Sequence, residues 1–217
     1  MYVEVWKMKK VLILFMVATL VTTTHAIVVG NYSFEEPADG KHNMWDAGTN
    51  GKGTFTDVPY WTSDVPANDS GIELGGTDGI YQGFLMGSQE GAGDPAVYNV
   101  TDHVIGAGES YLLTVDAYNN WNAPDFALGL YSTPDGGATL NELVLNTVSL
   151  TGEWAEYTAT YAVGAADAAI GSNLVVLMDN PTTGWLNMDN VRLDVVPEPA
   201  TMVLLGLGGL MLRRKYS

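Results

Sequence analysis

The chain has no cysteine, so neither a disulfide framework nor a thiolate metal site can form in it. Basic residues are also scarce. Nine lysines and arginines stand against 25 acids, a formal net charge of -16, and that field repels the phosphates of nucleic acid. Only three histidines occur, and there is neither a Gly-x-Ser-x-Gly elbow nor a His-Glu-x-x-His pair. Nucleophilic triads and zinc hydrolysis therefore lack their parts. The dipeptides Gly75-Gly76 and Gly136-Gly137 are not followed by Lys-Ser or Lys-Thr, so they read as turns and not as phosphate cradles. What is present is enough for a core: 47% of residues are hydrophobic and 10% aromatic, a length and composition suited to one domain once the two ends are set aside.

The few bases are concentrated at the ends. Lys7, Lys9, Lys10, Arg213, Arg214 and Lys215 lie in the terminal segments, and Lys41, Lys52 and Arg192 are the other three. Glu4 and Glu198 are the only acids outside residues 27–196, so that stretch holds 23 acids against three bases, a net of -20. It is soluble by self-repulsion and attracts divalent cations.

Lys7, Lys9 and Lys10 precede the apolar run Val11 to Val21, and Thr24 and Ala26 occupy the -3 and -1 positions of a cleavage site. This is the layout of a secretory signal peptide, residues 1–26, with a signal helix and a mature start at Ile27. Met8 opens a more typical signal than Met1, which leaves two candidate start codons. At the other end a Pro197-Glu198-Pro199 breaker leads to the uncharged run Ala200 to Leu212 and then to Arg213-Arg214-Lys215. That run of 13 residues is shorter than the roughly 20 needed to cross a bilayer unstrained. The basic cluster orients it with its end in the cytoplasm.

In that order, Pro197-Glu198-Pro199, the Leu-Gly-Leu-Gly run and the terminal Arg-Arg-Lys resemble the PEP-CTERM sorting signal of exopolysaccharide-producing Gram-negative bacteria. The resemblance covers residues 196–217. It implies export through the inner membrane by way of signal peptidase, transient anchoring by a short C-terminal apolar helix, recognition by an exosortase near Pro197-Glu198-Pro199, and a final place at the cell surface or outside the cell.

Between the ends, glycines and short polar clusters recur about every ten residues among runs rich in Val, Ile, Leu, Thr, Tyr and Phe, which is an all-β rhythm. The pattern predicts strands at Ile27–Val29, Ile80–Met86, Ala96–Thr101, Tyr111–Tyr118, Ala127–Tyr131, Leu143–Leu150, Trp154–Val163, Leu174–Met178 and Met188–Val195. Residues 35–79 read as long connections. The alanine-rich stretch Ala162 to Ala169 allows at most a short turn of helix, since Gly164 and Gly171 interrupt and bound it. An antiparallel jelly-roll β-sandwich over residues 27–195 is the expected architecture.

Within that domain Asn31-Tyr32-Ser33-Phe34-Glu35, Pro59-Tyr60-Trp61 and Met188-Asp189-Asn190-Val191-Arg192-Leu193 resemble galactose-binding-like and carbohydrate-binding-module jelly rolls. The resemblance implies that the opening and closing strands lie side by side and hold a structural calcium, with Glu35 and Asp189 supplying carboxylates. Calcium's demand for six to eight oxygens agrees with an acid-rich, cysteine-free domain. Ordinary exposed carboxylates, or an Asp capping a turn with Asn190, account for the same two residues. No EF-hand spacing occurs.

A sugar is read by flat rings against its apolar face and by amides and carboxylates at its hydroxyls. The Tyr118-Asn119-Asn120-Trp121-Asn122 segment combines two rings with three amides in an expected loop, making Tyr118, Asn120 and Trp121 ligand-binding candidates; Trp45 is another. Rings folded over the sandwich edge are the competing reading. Trp61, Trp154, Tyr157, Tyr161 and Trp185 read as core or rim packing. Catalysis has little to stand on. A glycosidase needs only two carboxylates, and Asp116, Asp125, Glu153 and Glu156 are available without any pair being singled out. The expectation is a non-catalytic, calcium-stabilised sandwich that binds exopolysaccharide or another glycan. The alternatives are a self-associating biofilm or matrix protein and a surface glycoside hydrolase.

Overall fold

The computed structural model describes residues 25–36, 58–63, 70–87 and 96–196. The signal helix, the C-terminal apolar helix, the sorting residues from Pro197 to Lys215, and Trp45 lie outside them. Among the described residues no helix is long and apolar enough to cross a membrane.

The described residues form eleven strands: β1 (His25–Ile27), β2 (Trp61–Ser63), β3 (Ser70–Leu74), β4 (Tyr81–Gly87), β5 (Ala96–Val104), β6 (Ser110–Trp121), β7 (Asp125–Thr133), β8 (Asn141–Ser149), β9 (Ala155–Ala162), β10 (Asn173–Asp179) and β11 (Gly184–Val196). One sheet has the order β3-β4-β11-β6-β9, with β1 pairing with β11 as well; the other has the order β2-β5-β10-β7-β8. Every pairing is antiparallel. The all-β antiparallel sandwich expected from the rhythm of turns is the observed fold.

Period-two alternation decides which side chains face the other sheet. On β6 Tyr111, Leu113, Val115 and Ala117 point into the core, and on β11 Leu186, Met188, Val191 and Leu193 do so. They meet Leu128 and Leu130 of β7 and Leu174, Val176 and Met178 of β10. The intervening residues Thr114, Asp116, Tyr118, Trp185, Asn187 and Asp189 therefore stand on the outer face of the first sheet. A register shift in β11 between Asp189 and Arg192 would throw this alternation out of phase. Asn190 absorbs it with φ 51°, which returns Val191 to the core while its N–H donates to Tyr32 O at 2.9 Å.

Three predicted features are corrected. The stretch 35–79, read as connections, contains β2 and β3, whose short runs Trp-Thr-Ser and Ser-Gly-Ile-Glu-Leu are too brief to show a period among so many glycines. Tyr118 to Trp121 is not a loop: it is the last turn of pleat in the twelve-residue β6. The first strand also begins earlier than expected, at His25, opposite Val195, so a signal cut after Ala26 falls inside β1. The alanine-rich stretch forms turns with no helix.

Candidate functional site

Glu35 and Asp189 do come together, around the turn that joins β3 to β4. Asp189 Oδ2 accepts from the N–H groups of Thr77 at 2.6 Å and Asp78 at 2.8 Å, and its Oδ1 accepts from Asn190 N–H at 2.7 Å. Glu35 Oε1 accepts from Ile80 and Tyr81 N–H, each at 2.7 Å. The two carboxylates therefore hold the backbone of residues 77–81 from opposite ends, and at Gly76 and Gly79 the turn has no room for a side chain. A Cβ on Gly76, at φ 117°, would strike Asp189 Oδ2, and one on Gly79, at φ 98°, would strike Glu35 Oε1. Gly76→Ala is expected to cost about 1–3 kcal/mol of stability, read as a lower urea midpoint; an unchanged midpoint would show that the turn yields.

The neighbourhood is strongly acidic. Asp116 Oδ2 accepts from Thr77 Oγ1 at 2.7 Å and from Asn190 Nδ2 at 3.2 Å, and Arg192 bridges Asp116 at 3.2 Å and Glu156 at 2.7 Å. Asp189 is fully buried. Burial pushes its carboxyl up to about 6, against the pull of three backbone N–H groups, and the charge of Asp78 pushes the same way. Among the described residues no group of three or more His, Asp or Glu side chains is arranged to hold a metal ion. Backbone carbonyls would have to supply most of a calcium shell beside Glu35 and Asp189.

A second constellation lies on the same outer face. The pairings Gly71 with Phe84, Asn187 with Phe84 and Asn187 with Tyr118 set one row across β3, β4, β11 and β6. Trp154 closes the row, its ring 4.5 Å from that of Tyr118. Flanking this row, Trp185 lies opposite Met86 on one side and Trp121 on the other, with its ring 5.4 Å from Phe84. On the other flank Glu73 stands opposite Gln82.

Polar groups are threaded through these rings. Asn120 Nδ2 donates to Asn187 Oδ1 at 2.7 Å, and Asn187 Nδ2 in turn donates to Glu73 Oε1, which also accepts from Gln82 Nε2 at 2.9 Å. Burial pushes the Glu73 carboxyl above its ordinary range, and the two amide donors only partly offset it. The indole N–H of Trp185 is buried and has no hydrogen-bond partner among the described residues, a state costing roughly 1–3 kcal/mol. Trp121 is 56% exposed at the end of this face.

Of the predicted ligand residues, the structure places Tyr118, Asn120 and Trp121 on this one surface. Sequence reasoning missed Glu73, Gln82, Phe84 and Asn187, and read Trp154 and Trp185 as packing. Recognising Ser70 to Leu74 as a strand would have found Glu73, because alternation then sets it on the side opposite Ile72. Trp61 is core, as read, at 4% exposure with its ring 5.3 Å from Phe34. His103, Glu109 and Tyr111 form a separate cluster that ties β5 to β6: Tyr111 OH donates to Glu109 Oε2 at 2.5 Å, and His103 Nε2 lies 3.1 Å from the same oxygen.

A two-sheet sandwich with rings and amides on one outer face, followed by a sorting tail, defines an exported surface protein of the jelly-roll class. Residues 25–194 match the HpiC1-like family, described as HpiC1 cyclase, and the chain belongs to that family. Residues 195–215 match the PEP-CTERM protein-sorting motif, which implies export, sorting to the cell surface and processing by an exosortase. Two crystal structures of cyclases from Fischerella sp. TAU share the fold at TM-score 0.63. One is the Stig cyclase FisC with a pyrrolidinylidene-indole, 19% identical over 81% of this chain and 99% of that one. The other is 21% identical over 81% and 98%. The xylan-binding CBM22-1 domain of Paenibacillus barcinonensis Xyn10C superposes at TM-score 0.48, with 13% identity over 81% of this chain and 97% of that one. No curated protein sequence matches the chain.

Proposed function

We propose that the exported domain is a glycan-binding module, and that the outer face bearing Tyr118, Asn120, Trp121, Trp154, Trp185 and Asn187 is its site. The observation that carries this is the buried, unpaired indole N–H of Trp185 among stacked rings and amides. A pyranose laid on the rings would set its hydroxyls against Asn120 and Glu73, and a small shift of the rings that cover the Trp185 N–H would give that group an oxygen to donate to, while the fully buried Asn187 holds Asn120 and Glu73 in place. The net of -20 over residues 27–196 favours neutral polysaccharide over uronic or sulfated chains.

Calcium fits this reading as a structural ion. The desolvated Asp189 carboxylate, with Glu35, Asp78 and Asp116 nearby, is a region where added positive charge is stabilising. Glu35 and Asp189 would be its carboxylate ligands. In the same reading signal peptidase releases Ile27, residues 200–212 hold the chain transiently in the inner membrane, and an exosortase cuts near Pro197-Glu198-Pro199. The test is retention of residues 27–196 on neutral β-1,4-linked glucan, xylan and galactan gels, with calcium and with chelator. Glu73 makes retention sensitive to pH if its protonated form donates to the sugar: binding is then strongest at acid pH and weakens as pH rises through the raised Glu73 value. Glu73→Gln should flatten that profile.

Glu73 also favours a second reading. A carboxyl that burial raises above its ordinary range, close enough to Tyr118 to act on its hydroxyl, can deliver a proton to a planar unsaturated substrate, while the rings of the same face stabilise the positive charge that develops. That chemistry suits an acid-catalysed cyclisation and agrees with the family. Turnover of an indole substrate that is lost in Glu73→Gln, with no retention on any glycan, would select it.

A further inference from the structure

The two chain ends that lead to membrane-directed segments leave the sandwich side by side. His25, the second-last residue of the signal peptide, pairs with Val195, Ile27 at the mature start pairs with Leu193, and Val195 also pairs with Tyr111 of β6. Val196, opposite Ser110, is the last strand residue, and Pro197 of the sorting motif follows it with no spacer. Three residues, Pro197, Glu198 and Pro199, separate Val196 from the apolar run that begins at Ala200, and the four Cα–Cα steps across them reach at most roughly 14 Å. This pole also carries the turns of residues 105–109 and 163–172, since Ser110 lies opposite Ala162 and Gly171 N–H donates to Ile105 O at 3.0 Å.

The candidate binding face is set at the other end. β11 runs from Gly184 to Val196, so Trp185 lies eleven residues from Val196, about 36 Å along an extended strand. Trp121 is beside Trp185, at the far end of β6 from Ser110. A tether of about 14 Å cannot bring a group some 36 Å away to the bilayer unless the whole domain lies flat. A domain with a net of -20 is repelled by anionic headgroups and so stands upright.

We propose that the sorting segment holds the domain upright on the outer side of the inner membrane with the Trp121–Trp185 end directed away from it, so that ligand is captured while the chain is still anchored. Exosortase cleavage then releases a loaded carrier and does not unmask the site. The inference rests on the glycan-binding reading above, and its test separates the two.

The absence of cysteine allows single labels. Full-length chain carrying Ala166→Cys or Thr183→Cys, both at exposed positions, is labelled with a fluorophore and reconstituted into phosphatidylethanolamine vesicles containing a minority of phosphatidylglycerol and headgroup nitroxides. The 166 label should be quenched and the 183 label should not. Equal quenching, the reverse pattern, or failure of the chain to float with the vesicles would overturn the inference.

Retention of β-1,4-xylan by the vesicles is then compared with that of the free domain. Affinities within about twofold, or roughly 0.4 kcal/mol, support capture before release, and a loss of about tenfold on anchoring contradicts it. If the free domain itself retains no glycan, the binding reading fails, and the label pattern alone still decides the orientation.

Discussion

Replacing Asp189 with alanine is expected to lower stability by about 3 kcal/mol near pH 4, since three backbone N–H groups lose their acceptor. For a domain of this size that is a fall in Tm on the order of 10 °C. The donors are those of Thr77, Asp78 and Asn190. The penalty should shrink as pH rises. The folded Asp189 titrates at about 6, above its ordinary value of 3.8. The folded state therefore keeps a proton that the unfolded chain has lost, and wild-type stability falls through that window.

The variant lacks this slope, so in chelator the difference between the two proteins is largest below pH 4 and smallest above 6. Calcium reverses the trend if Glu35 and Asp189 hold it, because the ion binds only the ionised carboxylate and restores wild-type stability above pH 6. Melting curves across that range, with calcium and with chelator, check both statements. A penalty that does not vary with pH would show that burial of Asp189 is relieved in solution.

Trp185→Ala is expected to cost roughly ten- to a hundredfold in glycan affinity, the usual range for a central aromatic anchor of about 1.4–2.8 kcal/mol. Because Trp185 also packs on Phe84, Trp185→Phe is the companion variant: it keeps one aromatic ring against Phe84 while removing the N–H and part of the stacking area, and should lose a few-fold. Trp121→Ala removes an exposed ring at the end of the face and tests how far the ligand extends. If both alanine variants melt normally and bind as wild type, the sugar does not rest on this surface.

The sandwich was legible because strands of eight or more residues, such as β6 and the two halves of β11 on either side of Asn190, are long enough to show their alternation and are punctuated by glycine. β2 and β3 were not, since three- and five-residue strands between glycines and prolines show no period. The site was half legible for the same reason. Tyr118, Asn120 and Trp121 are contiguous and so visible as a cluster. Glu73, Gln82 and Asn187 are brought together only by the pairing of β3 with β4 and of β4 with β11, and nothing local in the sequence marks a contact across 114 positions between Glu73 and Asn187. Trp185 looked like packing because it sits in an alternating run. Alternation tells which residues share a face, but not whether that face is covered.

The most direct test of the account is equilibrium binding of residues 27–196 to soluble β-1,4-xylan and glucan, with wild type and Trp185→Ala side by side. Saturable binding by wild type that the variant loses, at matched melting temperatures, is the predicted result. No binding by either protein, together with light scattering that rises with calcium, would contradict it and make the domain a self-associating matrix protein.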